Sequence, residues 1–147
     1  MSKRFSSEGA PPTPASSEGF TPKRVVLVVD DHPMNTKLLA FVVRARGLDV
    51  VTAASADEVW IAVEKTTPDV ILMDVQLPGT DGLALTRQLR ADSRFATLPI
   101  VAVTAYAMES DRRAAYDAGC SDFVSKPIDT RALGDLVVTL ASAGRRS

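Results

Sequence analysis

One cysteine and one histidine leave little room for metal-thiolate or redox chemistry. Cys120 has no partner for an intramolecular disulfide, and His32 alone cannot build a zinc centre or a histidine relay. No apolar run approaches the roughly 20 residues that cross a bilayer, so membrane insertion is not expected. The opening stretch "MSKRFSSEGAPPTPASSEGFTPKR" lacks the apolar segment of a secretory signal, and a cytoplasmic location is expected. An excess of charge is missing too. Lys and Arg total 17 against 18 Asp and Glu, a net charge of -1, which argues against direct DNA binding through a basic face. Residues 1–23 are also short of aliphatics and rich in Ser, Pro, Gly and Ala. They cannot bury enough surface to offset their ordering entropy and read as a disordered tail.

What remains is an ordinary core-forming sequence. With 147 residues and 46% apolar content, the chain can support one domain, placed at residues 24–143 and followed by a short tail at 144–147. "VVLVVDD" (25–31), "DVILMD" (69–74) and "LPIVAVTA" (98–105) are near-continuous apolar runs, while "LDVVTAA" (48–54) and "SDFVSKP" (121–127) are shorter strands. Between them lie helical patterns. "NTKLLAFVVRARG" (35–47) spaces Leu38, Leu39, Val42 and Val43 for one face, with Gly47 as a C-cap. "SADEVWIAVEKT" opens with a Ser55-to-Glu58 capping box. "DGLALTRQLRAD", "ESDRRAAYDAG" (ending at Gly119) and "DTRALGDLVVTLASA" supply the other helices. Five strand–helix units with apolar strands predict a parallel sheet covered on both faces, with right-handed crossovers.

In such a sheet, ligands bind outside the carboxyl ends of the strands. The first strand ends in Asp30 and Asp31, the third in Asp74, the fourth in Thr104 and the fifth in Lys126. Three carboxylates at one edge repel and call for a counter-charge. An all-oxygen donor set suits Mg²⁺. Asp74 then has the surroundings of a nucleophile toward phosphorus, with Lys126 and Thr104 to hold phosphoryl oxygens.

These segments resemble the response-regulator receiver domains of two-component signalling. "VVLVVDDHPMN", "DVILMDVQLPGTDG", "IVAVTA" and "DFVSKP" match the family's motifs in order across about residues 24–142. The resemblance is nearest to stand-alone receivers of the DivK type, the receiver of a hybrid histidine kinase being the alternative. It implies a flavodoxin-like (βα)5 doubly wound fold with five parallel strands in the order 2-1-3-4-5. It implies Asp74 as phosphoacceptor, Asp31 as direct Mg²⁺ ligand, Asp30 as ligand through water, and the Gln76 backbone carbonyl as a further ligand. Thr104 matches the switch hydroxyl, Lys126 the phosphate-pairing lysine and Phe123 the aromatic that rotates inward on activation. Gln76 and Tyr106 match positions that tune phosphoryl lifetime, and Lys126-Pro127 matches a peptide that is usually cis.

The implied partners are a histidine kinase or histidine phosphotransfer protein, and an effector bound through the face of the fourth helix, fifth strand and fifth helix. The chain is expected to act as monomer or weak dimer, without an output domain. It would not be an enzyme in the ordinary sense, since it catalyses only its own phosphorylation and slow hydrolysis. Other classes fit less well. An Asp-nucleophile phosphohydrolase commonly needs a second Asp two residues on, where Gln76 stands. A flavin or nucleotide module needs a phosphate loop after the first strand, where "DDHPMN" is acidic. A phosphorylation-independent scaffold usually loses one of the acids or the lysine. Elsewhere the plainer readings hold: His32 is an exposed loop residue, Trp60 a packing residue near Ile61 and Val63, and Cys120 a small buried filler.

Overall fold

The structure is a computed structural model that describes residues 23–77 and 79–144. Of the expected tails (1–23 and 144–147), residues 1–22 and 145–147 lie outside the described residues, as does Pro78 in the predicted turn, whereas Gly144 is the last residue of the final helix rather than tail. Among the described residues, seven strands and five α-helices follow in chain order: β1 (Val25–Val29), α1 (Pro33–Arg44), β2 (Asp49–Ala53), α2 (Ala56–Lys65), β3 (Val70–Asp74), β4 (Gln76–Leu77), β5 (Thr80–Asp81), α3 (Gly82–Ala91), β6 (Ile100–Thr104), α4 (Glu109–Ala118), β7 (Asp122–Ser125) and α5 (Thr130–Gly144). The sheet runs β2-β1-β3-β6-β7, all parallel. Setting aside the short β4–β5 pair, that is the 2-1-3-4-5 order of the doubly wound, flavodoxin-like fold.

The strands' two-residue side-chain period divides the core. Leu27, Val29, Ile71, Met73, Ile100 and Ala102 point to one face, where α2, α3 and α4 contribute Val59, Val63, Leu85, Leu89 and Ala115. Val26, Val28, Val70, Leu72, Val101 and Val103 point to the other, against Leu39 and Val43 of α1 and Leu133, Val137 and Ala141 of α5. Every residue of β3 and β6 is buried, so the middle of the sheet is the most firmly held. Each fully buried aliphatic there contributes roughly 1.5–3 kcal/mol.

Several local expectations shift. α1 starts on Pro33, whose missing N–H suits a first turn, and ends at Arg44 with Ala45 as its C-cap. Gly47 is not that cap; it sits two residues further on with φ 81°. Leu38 is 41% exposed and Ile61 57% exposed, so neither belongs to the core stripe. The Ser55 hydroxyl accepts from Glu58 N–H as the capping box requires, but Glu58 Oε1 accepts from Ala54 N–H rather than Ser55. The β4–β5 hairpin was not anticipated. It brings Gly79 to φ 72° and delivers Asp81, whose Oδ1 caps α3 by accepting from Leu83 N–H at 2.9 Å. Trp60 packs its ring 6.4 Å from Phe95, Cys120 is buried and His32 is exposed, as expected.

Candidate functional site

β1 and β3 are neighbours, so their final residues meet at one edge. The backbone of Asp30 is fixed because its N–H donates to the Ala53 carbonyl at 3.0 Å. The residue is 3% exposed, and its Oδ1 accepts from His32 N–H at 2.8 Å. Asp31 points to solvent. Asp74 ends β3 at 5% exposure, and its Oδ1 accepts from Gln76 N–H at 2.9 Å. One carboxylate oxygen from each of Asp30, Asp31 and Asp74 lies within 4.8 Å of the others. Lys126 follows β7, and its Nζ stands 3.8 Å from Asp30 Oδ2. That Oδ2 is buried without a hydrogen-bond partner. Oxygen donors alone, one of them buried and unbonded, in excess over the single ammonium beside them, fit a hard divalent cation.

The electrostatics follow. Burial pushes the Asp74 carboxyl above the ordinary carboxylate range. The Gln76 N–H counteracts this, Asp30 and Asp31 push upward, and Lys126 pulls down. The resting site therefore holds its negative charge at a cost.

Thr104 ends β6 at 1% exposure. Its hydroxyl oxygen accepts from Tyr106 N–H at 3.0 Å and from Gln76 Nε2 at 2.9 Å. Its carbonyl accepts from Lys126 N–H at 2.8 Å, and the Lys126-Pro127 peptide is cis. Beside Thr104 lies a cavity of about 70 Å³, lined by Val75, Gln76, Tyr106, Asp111, Ala114 and Phe123 among others. Phe123 is 7% exposed and already packed inward, with the Arg112 guanidinium 5.1 Å from its ring centre. Tyr106 stands out of the site at 62% exposure.

All the residues expected at the strand ends therefore converge, with Gln76 and Phe123 beside them; Tyr106 reaches the site through its backbone N–H while its ring stands outside. Sequence reasoning missed two contributions. One is the Gln76 side chain, which reaches across to Thr104. The other is Gly82, the first residue of α3. A Cβ there would fall on the Asp74 carbonyl oxygen and 2.9 Å from Val75 Cα. The "DG" pair was visible, but the close approach depends on the hairpin that folds α3 back under β3.

An open parallel α/β sheet with a carboxylate-rich edge, an ammonium and a buried hydroxyl beside it is the class of doubly wound domain that the fold and site define. The chain belongs to the response regulator receiver domain family, whose model matches residues 26–138. It is therefore a receiver domain of two-component signalling, a class that accepts phosphoryl groups rather than turning over free substrate. Among its relatives is the polar-differentiation response regulator DivK of Brucella ovis, 37% identical over 103 residues, which covers 70% of this chain and 84% of that protein. Two similar solved structures are receivers of kinases. The signal receiver domain of a signal transduction histidine kinase from Syntrophus aciditrophicus has a TM-score of 0.77 at 27% identity, covering 84% of this chain and 94% of that one. The receiver domain of sensor histidine kinase PA1611 from Pseudomonas aeruginosa has a TM-score of 0.75 at 30% identity, covering 82% and 99%. It was solved with a magnesium ion coordinated in its active-site cleft. No helix among the described residues is long and apolar enough to cross a membrane.

Proposed function

We propose that the chain is a phosphoacceptor switch, modified on Asp74 by a histidine kinase or histidine phosphotransfer protein. The observation that carries this is Asp74 itself. It is a buried carboxylate at a strand end, oriented by the Gln76 N–H and set within 4.8 Å of two further acids. In the transfer, an Asp74 oxygen forms a bond to phosphorus as the P–N bond to the donor's imidazole breaks, and the bonding pair returns to the imidazole nitrogen. Asp30, Asp31, Asp74 and the Gln76 carbonyl would hold Mg²⁺, which when bound supplies the counter-charge for the phosphoryl oxygens. Lys126 pairs with a phosphoryl oxygen, exchanging its present partner Asp30 for the stronger charge. Thr104 donates its hydroxyl proton to another.

Gln76 and Tyr106 belong to the same reading as residues that set the phosphoryl lifetime. For Tyr106 to shield Asp74, its exposed ring has to fold over the site, and slow self-dephosphorylation is the consequence. Phe123 moves with Thr104 as the aromatic partner of the switch. The signal leaves through α4, β7 and α5 to an effector protein. Supporting this, Met108 and Tyr116 are exposed, and a groove of about 280 Å³ runs between β7 and α5, lined by Phe123, Val124, Pro127, Ala132 and Leu136 among others. The proposal includes a receiver spanning residues 24–143, action in the cytoplasm as monomer or weak dimer, and signalling by protein contact. A receiver that is part of a histidine kinase, as in the two similar structures above, would use the same chemistry.

The test is intact mass after incubation with acetyl phosphate and Mg²⁺, and with a phosphohistidine donor. A gain of about 80 Da, lost with EDTA and in Asp74→Asn, is expected. No gain from either donor would move the reading to a phosphorylation-independent scaffold.

A further inference from the structure

The strongest unexplained contact is between Gln76 and Thr104. A hydroxyl offers two acceptor sites and one proton. In Thr104 both acceptor sites are taken, one by Tyr106 N–H and one by Gln76 Nε2. Any further hydrogen bond made by Thr104 must be one it donates. A phosphoryl group presents acceptors, so this is the polarity it needs. The backbone of Gln76 is fastened at the same time: its own N–H donates to Asp74 Oδ1 at 2.9 Å, and the preceding Val75 N–H donates to the Val103 carbonyl at 3.2 Å. One residue thus grips both the carboxylate that would carry the phosphoryl group and the hydroxyl that would bind it. We propose that Gln76 is a positioning residue that acts through Thr104, holding its hydroxyl as a poised donor toward Asp74 before phosphorylation. The inference rests on the phosphoacceptor reading, but it gives Gln76 a different task from guarding the path of a hydrolytic water. A water-guarding residue acts whether or not Thr104 carries a hydroxyl. A residue that works through Thr104 does not.

The two tasks separate in a double-substitution cycle of Gln76→Met, which keeps the side chain's length without its donor, and Thr104→Val, which keeps its shape without its hydroxyl. The rate of Asp74 phosphorylation by acetyl phosphate is followed by intact mass. Gln76→Met should slow it about three- to tenfold, the worth of one hydrogen bond to a polar group. In the Thr104→Val background the same change should have little effect. Equal effects in both backgrounds, or none in either, would overturn the proposal. Gln76→Glu exchanges donor for acceptor and captures the Thr104 proton, so its harm should exceed that of Gln76→Met only while Thr104 is present; equal excess in both backgrounds would also count against it. A direct reading needs neither donor nor second substitution. The Thr104 methyl resonance should shift in unphosphorylated Gln76→Met, and an unmoved resonance would show that the contact does not exist. Failure of wild type to gain mass from any donor would sink the phosphoacceptor reading instead, leaving the methyl shift to judge the contact alone.

Discussion

Asp74→Asn should make the metal-free, unphosphorylated protein more stable, although it removes the central residue of the proposed site. Two unit charges 4.8 Å apart, the spacing within which the acids cluster, repel by roughly 3.5 kcal/mol at an effective dielectric of about 20. That bare figure is reduced from two sides. Asp31 is exposed, so solvent and salt screen it. Lys126, 3.8 Å from Asp30, returns part of the energy to the cluster. Asn keeps an oxygen that can accept the Gln76 N–H, so the oriented loop survives. A net gain of about 1–2 kcal/mol is expected, or roughly 3–8 °C in Tm for a chain of this size. The pH dependence fixes the sign. Asp74 is raised in the folded state, so its ionised form costs stability at neutral pH. As pH falls, the folded protein takes up that proton first, and the advantage of Asn shrinks. It should vanish below the unfolded carboxyl value of about 3.9. Urea unfolding of both proteins in EDTA between pH 4 and 8 measures this. A less stable Asp74→Asn at pH 7, or a gap that widens as the pH falls, would refute the account of the site as a cluster of unfavourably held charges.

Gly82→Ala should cost about 1–3 kcal/mol in urea unfolding, because the new methyl meets the backbone of Asp74 and Val75 rather than a yielding side chain; phosphorylation of Asp74 should slow in the same variant as α3 is pushed away, and unchanged behaviour in both assays would contradict the close approach. Arg94→Ala should raise the carboxyls of both Glu64 and Asp92, which Arg94 now holds low through hydrogen bonds at 2.8–3.1 Å. Depressed acids lend stability above their unfolded values and lose it as pH falls through the folded ones, so the wild-type advantage should fade in acid; carboxyl NMR titration that finds both groups unmoved would rule this out.

Much of the architecture was legible because period and punctuation agree in this sequence. β3 and β6 are apolar up to their last residues, as a doubly covered parallel strand requires, and α4 ends at Gly119 as the sequence suggested, with Gly119 as its C-cap at φ 111°. The acids, Thr104 and Lys126 were legible as a group because parallel strands deliver their last residues to one edge. What was not legible depends on contacts between segments. Leu38 fits a helical stripe by spacing, yet the stripe that meets β1 and α5 runs through Leu39 and Val43. Gln76 was readable as a position beside Asp74 but not as a partner of Thr104, since 28 residues separate them and only the β3–β6 register brings them together. Gly82 shows its meaning only once the β4–β5 hairpin has returned the chain to β3.

The same register limits how the proposed switch can move. The Thr104 carbonyl is bonded to Lys126 N–H, its neighbours lie in a fully buried strand, and β6 is flanked by β3 and β7 along its length. Displacing that backbone would break ladder bonds on both sides and open the core, a cost of many kcal/mol that a single phosphoryl group cannot supply. Side-chain rotation costs far less. On the proposed reading a signal from Asp74 would leave through side chains, and those around the 70 Å³ cavity include Gln76, Thr104, Tyr106 and Phe123. Phe123 is already inward, so in the proposed switch it moves with Thr104 rather than entering from solvent. The large group still outside is Tyr106. Its backbone N–H is bonded to the very hydroxyl that phosphorylation would engage, so a turn of Thr104 is felt first at Tyr106 and the segment leading into α4. On this geometry the first surface to change is the start of α4, and β7 and α5 follow.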